Sequence, residues 1–445
     1  MVISSPIFWT HLEYYESTYW GISPKDLAFI EWWREKQGTI PPFLSSHVPH
    51  ADEDPFGADN LDASPWEVAR YPVMVYERMT ELTTVIEYMG SAQYLKISTS
   101  FWNILLREFE RGSHTSYPNL HTLSGDWDGG QPSTISYPRQ YITDLFPHCS
   151  PSFLQRLHLY DARFKDGTVI QPHLSRLTHI SLENTALSLD FWHFFIRSFP
   201  DLQWASFSVE LIKSDSEHHL PISEHTLSHL SVLFFTARVG FSRAKREDID
   251  FLSPYFAGLS LPTLHMLSLS SDHDSWTDYR GVAQICNVLK STPNVIDISF
   301  GPHLFSFDYF PFYLDIDDDT DSFDDLRPLW LSTPHLVHVQ FEISVGSIHS
   351  SQPKAEVTMK QAERQLETFI HYAFAAENEW LDLKDPVFPI RKITLVYDQA
   401  VRIRTFAALQ LRGLNEMWPN IDFQIVSVSP RKAAMEAWNE WGSCV

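Results

Sequence analysis

The stretch Thr292-Pro293-Asn294-Val295-Ile296-Asp297-Ile298-Ser299-Phe300 carries two overlapping patterns. A variable residue, a proline, a polar residue and an aliphatic one come first. The aliphatic residue then opens an L-x-x-L-x-L frame on Val295, Ile298 and Phe300. The last two frame residues alternate at period two, so both point to one side of a short strand. The first lies three residues earlier, where the chain turns into that strand and covers the core. Proline ahead of it blocks helix continuation and favours an extended approach.

The same phrase returns as Tyr117-Pro118-Asn119-Leu120, Phe199-Pro200-Asp201-Leu202, Leu261-Pro262-Thr263-Leu264, Thr333-Pro334-His335-Leu336 and Trp418-Pro419-Asn420-Ile421. The frame alone stands at Leu154, Leu157 and Leu159, at Leu177, Ile180 and Leu182, and at Ile390, Ile393 and Leu395. Leu264, Leu267 and Leu269 keep it, as do Leu336, Val339 and Phe341, while Leu202, Ala205 and Phe207 and Leu230, Leu233 and Phe235 are looser copies. From Leu120 to Ile421 the first frame residues are 23 to 54 residues apart. Regular leucine-rich repeats run about 20–29 residues. One unit cannot bury its own apolar face, so neighbours must stack.

Helical stretches separate the frames. Ser100 can cap residues 101–111, and Asp190 can cap residues 191–198 before Pro200. Residues 277–290 place Val282, Ile285 and Leu289 on one face, and 359–380 and 399–417 read as longer helices. The expected fold is therefore α/β, an irregular leucine-rich-repeat-like solenoid with a curved parallel sheet and helices on its outer face. A doubly wound α/β sheet also alternates strands and helices. The recurring proline phrase and the lack of a glycine fingerprint favour the solenoid.

Residues 1–64 differ from 65–445 and read as a capping segment ahead of the solenoid. Ser23-Pro24-Lys25-Asp26 resembles a capping box, with Gly38 closing the helix. Pro41-Pro42-Phe43-Leu44 leads into an extended segment, and residues 50–63 form an acidic loop. Val75, Met79, Leu82, Ile86 and Met89 make an amphipathic helix running into a strand at Tyr94-Leu95-Lys96-Ile97.

The segment Ile3-Ser4-Ser5-Pro6-Ile7-Phe8-Trp9-Thr10-His11-Leu12 resembles the region after the F-box in F-box/leucine-rich-repeat families of mushroom-forming fungi. Leu27 to Gly38, with Trp32-Trp33-Arg34 and Gly38-Thr39-Ile40-Pro41, is similar to the helix and turn that follow it there. Gln37 and Ile40 depart from that turn. The resemblance runs over most of the chain and is most specific at residues 3–44. It implies a substrate receptor of an SCF-type ubiquitin ligase. The F-box itself would precede Ser4, where Met1 to Ile3 stand, so a Skp-type adaptor is an expected partner only if an F-box lies upstream. The Ile3–Leu12 segment is expected to pack on the first repeat as a terminal cap.

Composition reads as that of a soluble, intracellular and acidic protein. The 445 residues carry 56 Asp and Glu against 33 Lys and Arg, a net charge of −23. That balance argues against nucleic acid, whose phosphates need clustered cations. No apolar run reaches the roughly 20 residues of a membrane span. Three cysteines, Cys149, Cys286 and Cys444, give no disulfide framework and fit the cytoplasm or nucleus.

Sites of chemistry are absent from the sequence. The run Asp315 to Asp321 lacks the glycine and glutamate of a calcium loop, with Thr320 and Leu326 in those places, and reads as a solvated loop. No C-x-x-C or H-E-x-x-H is present, and no serine sits in a G-x-S-x-G elbow. Cys149 and Cys286 read as structural thiols, and Trp32, Trp33, Trp192 and Trp204 as packing residues. No catalytic, cofactor or metal residue is therefore expected. The chain reads as a non-catalytic protein-recognition module, with an adaptor-independent scaffold as the alternative and an unfamiliar enzyme third. Polar positions between the buried aliphatics would meet the partner: Gln155, His158, Thr178, His265 and His338.

Overall fold

The structure is a computed structural model. It describes residues 11–15, 32, 43–47, 93–98, 120–126, 154–160, 176–212, 224–238, 252–271, 285, 288–301, 333–343, 390–397, 416 and 419–426. The chain forms two compact units, Met1–Ala186 with Gly442–Val445, and Leu187–Trp441. The expected boundary at 64/65 lies outside the described residues. So do the acidic loop at 50–63, the run 315–321, and the helices expected at 75–89, 101–111 and 359–380.

The first unit contains β1 (His11–Tyr15), β2 (Phe43–His47), β3 (Tyr94–Ser98), β4 (Thr122–Asp126), β5 (Arg156–Tyr160) and β6 (His179–Ser188), which runs past its end. These strands lie side by side in sequence order, and every neighbouring pair is parallel. The second unit contains α1 (Leu189–Arg197), β7 (Trp204–Ile212), β8 (His225–Thr226), β9 (Val232–Arg238), α2 (Ser253–Phe256) and β10 (Leu259–Ser260). After them come β11 (Met266–Ser271), β12 (Asp297–Phe300), β13 (His338–Ile343), β14 (Lys392–Tyr397) and β15 (Asp422–Val426). β7, β9 and β11 to β15 again follow sequence order with parallel neighbours, while β8 and β10 make a separate parallel pair. Among the described residues the architecture is α/β, with a mostly parallel sheet and few helices.

Register explains the sequence frames. The second strand positions are Leu123, Leu157 and Ile180 in the first unit, and Leu267, Ile298, Val339 and Ile393 among those of the second. All are buried, as are Leu159, Leu182, Leu269, Phe300 and Phe341 at the fourth position. First, third and fifth positions face the other way, because side chains alternate along a strand. The leading aliphatic residues Leu154, Leu177, Leu264, Val295 and Leu336 are also buried, two residues before each strand.

The proline phrase forms a tight turn rather than an extended approach. In Phe199–Leu202, Leu261–Leu264, Thr292–Val295 and Thr333–Leu336 the fourth N–H donates to the first carbonyl, at 3.2, 3.3, 3.3 and 3.0 Å. Proline suits the second position of such a turn because its φ is already set. The first and fourth residues are buried, and the polar third residue reaches sideways: Asn294 Nδ2 donates to the Pro262 carbonyl at 2.7 Å.

A second pattern joins the turns. The carbonyl just before one strand accepts both the lead-in and first-position N–H groups of the next. Gln93, His121 and Gln155 do this in the first unit, and Gln203, Ser231, His265, Ile296 and Val337 in the second. The last copy slips by one residue: Ile421 directly precedes β15, and only Asp422 N–H reaches the Arg391 carbonyl. Period two still places Ile421 and Phe423 in the core.

Aromatic packing fills the second unit behind β7 and β9. Trp192 of α1 meets Phe207 at 5.0 Å and Tyr255 at 5.6 Å, edge to face, and its Nε1–H donates to the Tyr255 carbonyl at 2.8 Å. Phe195 meets Phe199 at 4.8 Å in the same way. The cap of α1 is Ser188, whose hydroxyl accepts from Phe191 N–H, and not Asp190, which sits in the first turn. There its charge favours the positive helix end. Ile285 and Val288 to Lys290 are helical, as expected, with Ile285 and Leu289 buried. Trp32 is helical but exposed, so it is not a core residue.

Candidate functional site

In each unit a polar face is built by the first, third and fifth strand positions. On β4 to β6 of the first unit these are Thr122 and Ser124, Arg156 and His158, and His179, Ser181 and Glu183. The buried Ser124 hydroxyl lies 3.1 Å from His158 Nδ1, and His158 Nε2 looks toward Glu183 Oε1 at 3.8 Å. Ser124 also bonds the Tyr94 hydroxyl, whose pKa burial pushes up to about 12 against that bond's opposing effect.

Gln155 and Thr178 stand one residue earlier, on the lead-in row. His121 Nε2–H donates to Gln155 Oε1 at 3.0 Å, which leaves Nδ1 to accept from the Thr122 hydroxyl at 3.1 Å. Thr178 donates to the Gln155 carbonyl at 3.2 Å, so its oxygen accepts from His179 Nδ1–H at 2.9 Å. Burial, then Arg156, then His121 lower the His179 pKa to about 4. His121 is lowered too, by burial first, against the bond to Gln155. Both rings are therefore neutral at pH 7 and act through their tautomers.

The second unit repeats the chemistry on β12 to β14. His338 Nδ1–H donates to Asp297 Oδ1 at 2.9 Å, so Nε2 accepts from the Thr394 hydroxyl at 2.8 Å. Carboxylate, imidazole and hydroxyl thus form a chain across three strands. Its hydrogen bonds run as in a nucleophile triad, but the burial of its two ends is reversed. Thr394 is 2% exposed, whereas the Asp297 side chain is 44% exposed. A triad buries its acid and presents its hydroxyl. Here the hydroxyl is the hidden end, and the carboxylate faces outward.

The residues expected from sequence divide between the units. Gln155, His158 and Thr178 come together on β5 and β6 and their lead-in row. In the second unit His265 is exposed before β11, and His338 opens β13, with β12 between them. Sequence reading missed Asp297, Thr394, Ser124 and Glu183. Aligning the frames by their second aliphatic residue sets Asp297 beside His338, and that alignment was the available signal. Trp204 also stands on this face, its ring 5.9 Å from Phe234.

Among the described residues, no three or more His, Cys, Asp or Glu are arranged to hold a metal ion. No helix among them is long and apolar enough to cross a membrane. No protein-family model and no curated protein matches this sequence. Among solved structures, the crystal structure of a Bacteroides fragilis protein, a structural-genomics target, is similar at 11% identity. The match covers 82% of this chain and 84% of that one, with a TM-score of 0.30, which is too low to carry an argument.

Proposed function

We propose that this chain is a non-catalytic protein-recognition module, with its parallel sheet forming an irregular leucine-rich-repeat-like solenoid. The observation that carries the recognition reading is the polar face, on which the imidazoles of His158 and His338 are held by cross-strand partners while Asp297 points outward. Side chains fixed this way lose little freedom when a partner arrives, which favours binding. The buried hydroxyl ends speak against nucleophilic catalysis. What supports the solenoid is the recurrence of one turn and one lead-in bond pattern at successive strands. Each repeat of a solenoid meets only its neighbours and offers one residue row to the partner.

The resemblance of residues 3–44 extends this to presenting a protein substrate to an SCF-type ubiquitin ligase, in the cytoplasm or nucleus. A scaffold that works without the ligase would use the same face. Purification of the tagged protein from its own cells, followed by mass spectrometry, separates the two. A Skp-type adaptor among the bound proteins supports the ligase role. Protein partners without any ligase subunit support the scaffold, and the absence of any protein partner overturns both.

A further inference from the structure

The polar cluster on β12 and β13 has unfilled hydrogen-bonding capacity of a particular kind. Asp297 Oδ1 is taken by His338, and no other bond to the Asp297 carboxylate exists among the described residues, so Oδ2 remains an open acceptor on a side chain that is 44% exposed. His338 has both ring nitrogens engaged and serves to position that carboxylate. Beside them, Ser299 and Gln340 are register partners on the same face, both more than nine-tenths buried. Among the described residues, Ser299 Oγ and Gln340 Nε2 have no hydrogen-bond partner. A buried donor without a partner is a standing cost, which makes these groups receptive to any acceptor brought to them. Gln340 is long enough to swing its amide toward a chain lying across the strands, and that movement breaks no existing amide N–H bond.

We propose that Asp297 and Gln340 form a docking site for the extended backbone of a protein partner. A peptide group brings one acceptor and one donor. Its carbonyl would take the Gln340 amide once that side chain turns outward, and its N–H would donate to Asp297 Oδ2. Apolar side chains of the partner have a place to rest, since Ile296 and Val337, 37% and 38% exposed, precede Asp297 and His338 on adjacent strands. An anionic ligand would be repelled by Asp297. A sugar would lack the aromatic platform its ring prefers, because Phe300 and Phe341 occupy the buried fourth position and stack on each other there at 5.7 Å.

This site rests on the protein-recognition reading and sharpens it, so the test keeps the two apart. A random linear peptide library displayed on phage is selected on the full chain, and the best peptide is synthesised with a fluorophore. Its anisotropy titration is repeated with Gln340→Ala, with the near-isosteric Asp297→Asn, and with Phe194→Ala, at an exposed position of α1, as control. Thermal melts confirm that each variant is folded. Loss of one directed hydrogen bond should weaken binding about tenfold in each of the first two variants. The control should bind as the parent does, and methylating a backbone nitrogen of the peptide should cost a similar factor. Binding unchanged in both Gln340→Ala and Asp297→Asn overturns the site. So does a library that yields no peptide, or a glycan array that yields a sugar. If protein partners are still cross-linked to the polar face in those cases, recognition stands and only the backbone-docking site falls.

Discussion

Leu157 and Leu267 occupy the same strand position in different units, and both are fully buried. Truncating either to alanine is expected to lower stability by about 2–5 kcal/mol, the range for large-to-small changes in a close-packed core. Urea midpoints measure it, and unchanged midpoints in both variants would put these residues on the surface. Gly301 shows a different constraint. A Cβ there would collide with Ser270 Cβ, which is bonded rigidly to the backbone and cannot swing away. Gly301→Ala is therefore expected to cost about 1–3 kcal/mol, as overpacking does. The double variant with Ser270→Gly should recover part of the loss, and no recovery would place the cause elsewhere. His179 brings a pH dependence. Its folded pKa of about 4 lies below the ordinary 6.5 because burial, Arg156 and His121 disfavour the imidazolium. The unfolded chain then binds more protons between those values, so the neutral ring's contribution is complete above about pH 6.5 and is lost as pH falls toward 4. His121, His193 and His225 are shifted in the same direction, each chiefly by burial. Melting temperature should decline over that window, and His179→Asn should flatten the decline.

At the scale of single elements, α1 is fixed to the sheet of its unit by an aromatic ring with one polar atom. Trp192 packs between Phe207 and Tyr255, and its indole N–H satisfies the Tyr255 carbonyl. Trp192→Phe keeps most of the apolar area but leaves that carbonyl unpaired, which costs about 1–3 kcal/mol. Urea unfolding followed by far-UV circular dichroism checks it, and a loss well under that range would mean that water or another donor takes the place of the indole. The aliphatic frames were legible in the sequence because period two and the buried leading residue leave a mark that no other element imitates. The turn was only half legible. Proline announces that the helix stops, but a tight turn and an extended approach both accept proline, and only the bond from the fourth N–H to the first carbonyl separates them. Ser188 and Asp190 are both good capping residues, and the choice of Ser188 follows from where the backbone leaves β6. β1 was not foreseen as a strand, since His11-Leu12-Glu13-Tyr14-Tyr15 gives a short alternation with a single aliphatic residue.

For the molecule as a whole, the polar face was legible as a set of rows but not as a set of pairs. Gln155, His158, Thr178, His265 and His338 were chosen because they stand between buried aliphatics. Asp297 and Thr394 were not, although they hold His338 in place. Strands separated by widely varying lengths of sequence hide which residues share a row, and the pairing of β12, β13 and β14 restores that information. A partner bound through shape and a few hydrogen bonds, as proposed, would leave no fixed motif in the chain.

The most direct measurement compares two apolar side chains of similar exposure in the second unit. Ile296, 37% exposed, precedes the polar row of β12, and Phe194, 42% exposed, lies on α1. A photo-reactive benzoylphenylalanine is placed at one position or the other, and the protein is irradiated in its own cells. If the polar face carries recognition, position 296 should cross-link a protein partner reproducibly and position 194 should give none. Cross-links from 194 with none from 296 would contradict it and move the binding surface to the helical side.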